Sequence, residues 1–283
     1  MANAAQVITA GFAVAKLHRL DTAGFAMGLT GSLSNGEAAG SYELKGIKTA
    51  DLQVPEPERT DIIGNNRLLG AFTWPLGASP TGSIEAAVFD MDLNVALEGL
   101  KKRTLGGLEI QALGAEEADS KDICLIMQSD AYSQTAGYTG LSKKFGLIVP
   151  KASAVVRGIS TFTERTALNA LLTLTIQTAD RYPWGEQITL ANEGATNALM
   201  FPFTSDYFID LHAFVGNGTI TTVVLERTPA GDHAATPQRV FVYVNGSPLT
   251  PGSGFTVNVP NKTVTFTTAP AAGAKCEILY EYV

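Results

Sequence analysis

The chain has little of the chemistry that marks most enzymes. Its 283 residues hold three histidines, His18, His212 and His233, and two cysteines, Cys124 and Cys276. No histidine stands at metal-ligand spacing from another histidine, a cysteine or a carboxylate cluster, and no CxxC pair occurs. Neither a zinc site nor a disulfide framework is expected, and the two cysteines read as small reduced core residues. GxSxG, HExxH, Walker A and GxGxxG patterns are all missing. The glycine-rich GFAMGLTGSLSNG (24–36) lacks the spacing and the Lys-Ser/Thr of a phosphate loop, so it reads as turns. Glu116 and Glu117 sit in a charged turn, GAEEADSKD, and nothing selects a glycosidase pair. No catalytic residue, no metal and no cofactor is therefore expected.

Charge is scarce as well. Charged residues make up 17% of the chain, against about 25% in an average globular domain. A surface so thin in charge points to partners covering part of it. The formal net charge is −7, which disfavours external binding of nucleic acid, since that calls for a basic stripe. The opening MANAAQVITAGFAVAKL is apolar but has no cationic lead, and Lys16, His18 and Arg19 break it. A span needs roughly 20 apolar residues, so neither a signal peptide nor membrane insertion is expected, and synthesis belongs in a cytoplasm.

What the chain does have is strand pattern. QVITAGFAVAKL, LLGAFTWPLG (68–77), LEIQALG, DICLIMQSD and FGLIVPKASAVVRGIS all read as strands. The clearest is 168–177, where Leu168, Ala170, Leu172, Leu174 and Ile176 alternate with Asn169, Leu171, Thr173, Thr175 and Gln177. One face is apolar and the other mostly neutral polar, as in a continuous sheet or barrel wall. Residues 31–64 are polar and broken by Gly and Pro, and are expected to form a long loop or arm. A single helix is predicted over 90–104. Leu93, Ala96, Leu97, Leu100 and Thr104 form its stripe, Asp90 and Asp92 start it, and Lys101, Lys102 and Arg103 end it.

A boundary is placed near RYPWGEQ, giving domains 1–190 and 191–283. The second shows short strands with regular turns, the pattern of a β-sandwich. Asn245-Gly246 is a strong hairpin signal. Phe255 and Val257 alternate, as do Val264 and Phe266, and Cys276, Ile278, Tyr280 and Tyr282 share one face. Its turn chemistry is complete by itself, and if the module only decorates, removing 192–283 is expected to leave assembly of the rest intact.

The order of features from 68 to 180 resembles the major tail tube proteins of long-tailed bacteriophages. The resemblance is carried by LLGAFTWPLG, FDMDLNVALEGLKKRT, KKFGLIVPKASAVVRG and ISTFTERTALNALLTLTIQT. The closing VYVNGSPLTPGSGFTVNVPNKTVTFTTAPAAGAKCEILYEY is similar to the small β-sandwich modules that decorate phage structural proteins. The resemblance implies a mainly β fold of two packed antiparallel sheets flanked by one α-helix, with an Ig-like C-terminal β-sandwich. It implies six copies per ring, sheets joined between copies into a continuous barrel, and stacked rings that form a conduit for genomic DNA in the virion. The partners are then other copies, other tail proteins and DNA that passes without specific binding. On this reading Asn169, Thr173, Thr175 and Gln177 face the lumen, and Arg157, Glu164 and Arg165 lie between subunits. The module decorates the exterior, which favours a non-contractile tail, and binds host-surface glycans weakly if at all. The alternative is a virion adhesin that recognises such glycans.

Overall fold

The structure, a computed structural model, describes residues 7–9, 14–27, 40–44, 47–53, 58–64, 67–74, 81–86, 97, 102–111, 121–133, 141–159, 170–193 and 198–283. It is mainly β. Up to residue 176 the strands are β1 (Val7–Thr9), β2 (Val14–Arg19), β3 (Ser41–Leu44), β4 (Ile47–Gln53), β5 (Glu58–Gly64), β6 (Arg67–Trp74), β7 (Thr81–Ala86), β8 (Lys102–Leu105), β9 (Leu108–Gln111), β10 (Asp122–Ser133), β11 (Leu141–Ile159) and β12 (Ala170–Ile176). Then come β13 (Phe201–Ser205), β14 (Phe208–Val215), β15 (Thr222–Val224), β16 (Val240–Val244), β17 (Ser247–Pro248), β18 (Phe255–Asn258), β19 (Thr263–Phe266) and β20 (Lys275–Tyr282).

The largest sheet runs β3-β2-β10-β11-β12-β7-β4, all antiparallel, with β1 added on β10 and β13 on β11. Its two marginal strands, β3 and β4, are consecutive in the chain and only residues 45 and 46 separate them. Three Cα steps of 3.8 Å span at most about 11 Å. The margins therefore converge, and the sheet must curl on itself. One core records that curl. Ala15 and Leu17 (β2), Leu44 (β3), Ile84 (β7), Ile123, Leu125 and Met127 (β10), Val149, Ala152 and Ala154 (β11), and Leu172, Leu174 and Ile176 (β12) pack together, with Ile47, Ala50 and Leu52 of β4 against them. Six of the seven strands of the path bury a side chain in it and the seventh packs against it, as in a barrel-like wall around a filled interior. Among the described residues β3 pairs only with β2 and β4 only with β7, so the two margins come close without pairing with each other.

Two corrections concern local structure. The expected arm at 31–64 contains β3, β4 and β5. Ser41-Tyr42-Glu43-Leu44 does alternate, but four residues between glycines and polar runs are too few for the pattern to stand out. The helix expected over 90–104 is helical at Leu97, which is buried in the barrel core. Lys102, Arg103 and Thr104, however, lie in β8, and Leu105 pairs with Leu108 of β9. Gly106 and Gly107 have φ of 58° and 88°. This left-handed pair makes a two-residue hairpin turn and pulls the preceding residues into a strand. The remainder of 90–101 lies outside the described residues. The one short helix named among the described residues is Leu190–Glu193.

The C-terminal module packs sheet β14-β20-β16-β17 against sheet β15-β19-β18. Between them lie Leu225, Val240, Val242, Phe255, Val257, Val264, Phe266, Ile278, Tyr280 and Tyr282, the alternation seen in the sequence. Asn245 and Gly246, both at positive φ (52° and 77°), close the β16–β17 hairpin.

This module is docked on the barrel wall. The outer-facing Cys124, Ile126 and Ile148 join Leu20, Ala26, Ala179, Tyr182, Trp184 and Ile188 against Leu211, Ala213 and Tyr243 of the module. Gly185 and Gly246 meet where the two parts touch, and a Cβ on Gly246 would lie 2.5 Å from the Gly185 carbonyl oxygen. Removal of 192–283 would strip this second core of Leu211, Ala213 and Tyr243 and of the partly buried Phe201, Phe203, Ile209 and Leu279 packed against it.

Two outcomes follow. Leu174→Ala should cost about 2–5 kcal/mol, as cavity-forming core truncations do, read as a lowered urea midpoint with unchanged slope. A chain ending before β13 should be insoluble or bind a hydrophobic dye strongly, because it exposes Cys124, Ile126 and Ile148; a soluble, cooperatively unfolding fragment would contradict the docked arrangement.

Candidate functional site

Two places on the barrel wall stand out: an open polar face and a buried polar joint. The open face begins at β12. Leu172, Leu174 and Ile176 point inward, while Leu171 and Thr175 are exposed and Thr173 is half-buried. Pairing extends the face sideways. Thr173 stands opposite Ser83 of β7 and Val155 of β11, and Ser83 stands opposite Asp51 of β4. Leu171 pairs with Glu85, Glu85 with Thr49, and Thr175 with Thr81. Among its described side chains on β12, β7 and β4, this face carries hydroxyls, carboxylates and one leucine, and no cation.

Thr173 and Thr175 therefore lie together on the face where the sequence pattern put them. Gln177 follows the end of β12, and its Nε2 donates to Oδ1 of Asp122 at 3.4 Å. Asp122 also pairs with Lys151 at 3.2 Å. Arg157 lies in β11 at the bulge between Val156 and Gly158. Asn169, Glu164 and Arg165 lie outside the described residues. Ser83 and Glu85 were missed in the sequence, although their alternation with Ile84 and Ala86 was available as a signal.

The joint forms where β2 meets β14. Lys16 and His18 point outward from the barrel, opposite Ile126 and Cys124. Lys16 Nζ donates to Oδ1 of Asp210 at 2.6 Å and to Oε2 of Glu226 at 2.7 Å. Tyr280 Oη donates to the other oxygen of Asp210 at 3.0 Å. Nearby, the Gln128 side chain donates to the Ile209 carbonyl (2.7 Å) and accepts from the Ile209 amide (2.6 Å). A side-chain amide thus completes the outer edge of β14 as another strand would. Arg227 pairs with Glu43 of β3 at 2.7 Å and Lys275 with Asp21 at 2.9 Å, tying the rim.

Burial sets the protonation states at the joint. His18 is fully enclosed and its pKa falls to about 3, chiefly by desolvation, with the Lys16 charge adding to it. His212 is lowered for the same main reason. Glu277 faces the joint from β20 without a hydrogen-bond partner, and burial, with Asp21 nearby, lifts it to about 9. Both histidines and Glu277 are therefore neutral at pH 7.

The aromatic side chains are committed to packing. Tyr182 stacks on Trp184 (centroids 4.5 Å apart, planes 7° apart), and Trp184 lies 6.3 Å from Tyr243. Glu186 accepts from Trp184 Nε1 at 3.0 Å and from the Tyr243 hydroxyl at 3.3 Å. Among the Tyr and Trp residues whose side chains are described none is exposed; Tyr42 and Tyr207 are half-buried. A sugar-stacking platform, which the adhesin reading calls for, is not formed by these residues. Comparison with protein-family models and with curated proteins gives no match for the chain.

The joint should make stability depend on pH from two sides. In acid the unfolded chain protonates both histidines, while the folded chain keeps His18 neutral down to about 3 and resists protonation of His212, so these groups lower stability as pH falls below 6.5. Glu277 acts with the opposite sign. The folded chain holds its proton up to about 9, so stability falls as pH rises from the unfolded carboxyl's range through that value. Above the histidine range only the Glu277 contribution changes, and the maximum lies on the acid side of neutrality. Denaturant titrations from pH 5 to 9 should show the maximum. Glu277→Gln should flatten the alkaline limb and raise stability at pH 8, because an amide has no proton to be held against the solution pH.

Proposed function

We propose that the chain is a non-enzymatic virion protein, a self-assembling subunit of the tail tube of a long-tailed bacteriophage. What carries this reading is the division of labour on one curled sheet. Over β2, β10 and the first part of β11 the outer surface is covered by the module. Over β12, β7 and β4 it is open, hydroxyl-rich and acidic in its described side chains. In a ring, the open stretch would line a conduit, where carboxylates repel phosphates and neutral hydroxyls offer DNA no lasting hold. The covered stretch would face outward with its module.

Contacts between copies are assigned to the hairpin β8–β9. Leu105, Leu108 and Ile110 are 56%, 69% and 44% exposed there. A two-stranded hairpin is marginal in water by itself, and apolar side chains at its tip call for cover from another subunit. With other tail proteins at the ends of the stack, such a tube would reside in the virion.

Electron microscopy and light scattering on the purified full chain, across a concentration series, test this. Rings or filaments are expected. A monomer that persists to millimolar concentration would reject the proposal. Leu105→Lys with Leu108→Lys should abolish polymerisation and leave the far-ultraviolet circular dichroism of the monomer unchanged.

A further inference from the structure

At the joint an amine, a carboxyl group and a second carboxyl group meet with water largely excluded. Lys16 Nζ lies 2.6 Å from Oδ1 of Asp210 and 2.7 Å from Oε2 of Glu226, and the Lys16 and Asp210 side chains are only 10% and 4% exposed. Asp210 is held on both sides. Its Oδ1 accepts the Leu211 amide at 2.8 Å, and its Oδ2 accepts the Tyr280 hydroxyl at 3.0 Å. An amine thus lies within hydrogen-bond distance of one oxygen of the carboxyl group it would attack, an O–H donor meets the other oxygen, and a second carboxyl group touches the amine. Glu226, with its side chain 44% exposed, can exchange protons with solvent. A charge buried there is costly unless it is well compensated.

We propose that Lys16 and Asp210 condense into an isopeptide bond, formed by the folded chain itself, which staples β2 of the barrel to β14 of the module. The step balances without any co-reactant. Glu226 as carboxylate takes a proton from the Lys16 ammonium, and the freed Nζ lone pair attacks Cγ of Asp210. Charge accumulates on Oδ2, where the Tyr280 O–H donates to it. Glu226 returns its proton to Oδ1, and a second proton passes from Nζ to the same oxygen by the same carrier. The Cγ–Oδ1 bond breaks and water leaves. An ammonium and a carboxylate become one neutral amide and one water, and Glu226 ends as it began. Fixed contact replaces a bimolecular encounter, which is the largest advantage such a reaction has. Condensation also removes two buried charges, so the product rests more easily in this setting than the reactants. The bond would bridge 194 positions of sequence. It is independent of the tube reading and stands or falls separately.

The test is the intact mass of the purified full chain, followed by proteolysis. The expected mass is one water below that of the sequence, in every N-terminal form, with a branched peptide that contains both Lys16 and Asp210. Glu226→Gln keeps the shape and an acceptor but cannot carry the proton, so it should show the full sequence mass while folding normally. Asp210→Asn should still join, losing ammonia in place of water, which identifies the electrophile. Lys16→Arg should not join. The stapled chain should melt on the order of 10 °C above Glu226→Gln, given the long loop that is closed. A wild-type chain of full sequence mass, natively folded by circular dichroism and without a branched peptide, would overturn the proposal and leave a buried salt bridge in its place.

Discussion

Over residues 123–129 β10 has water on neither side, and the rest of the molecule is arranged around that constraint. Residues 123–129 are all buried. Ile123, Leu125 and Met127 face the barrel interior, while Cys124 and Ile126 face the module. Such a strand cannot exist at a surface. It needs a curled sheet to cover one side and a second layer to cover the other, and each of those conditions fixes a different part of the fold. The first brings β3 and β4 together across residues 45 and 46. The second holds β14 and β20 against the wall. At full burial a Leu- or Ile-sized side chain contributes about 1.5–3 kcal/mol, so the two faces of β10 make each domain depend on the other.

Apolar contact alone would let the two layers slide, because hydrophobic attraction has no direction. The polar groups at the joint supply direction. Gln128 meets both backbone groups of Ile209, which fixes the position of β14 along the wall. Lys16 reaches Asp210, Asp210 reaches Tyr280, and Arg227 and Lys275 tie the rim. Unpaired polar atoms remain on His18, His212 and Glu277. Burying them costs stability, and they stay neutral to limit that cost. A joint made in this way is specific at the expense of strength, and a covalent link across it would remove the trade.

The parts of the fold legible in the sequence are those where neighbouring residues decide the outcome. Ile278, Tyr280 and Tyr282 alternate in the sequence and all face the sandwich core. Asn245-Gly246 closes its hairpin because two adjacent residues tolerate positive φ. Thr173 and Thr175 fall on the open face because a strand's side chains have a period of two. The helical stripe failed at Thr104 for a local reason that was also present: Gly106-Gly107, two residues on, favours a hairpin that ends the helix pattern early. The strands at 41–44 and 47–53 were hidden because each is short and its pairing partners lie far along the chain.

By itself, the sequence determined the β class, the alternating faces, the turns and the shortage of catalytic groups, since each of these depends on spacing within about ten residues. Only the tertiary structure decided that the sheet curls, that the module is docked rather than appended, and that Lys16, Asp210 and Glu226 meet. Those outcomes depend on which distant strands pair and which surfaces exclude water, and that information is spread over separations such as the 194 positions between Lys16 and Asp210. No local pattern encodes such a distance, because packing selects it only after the strands have formed.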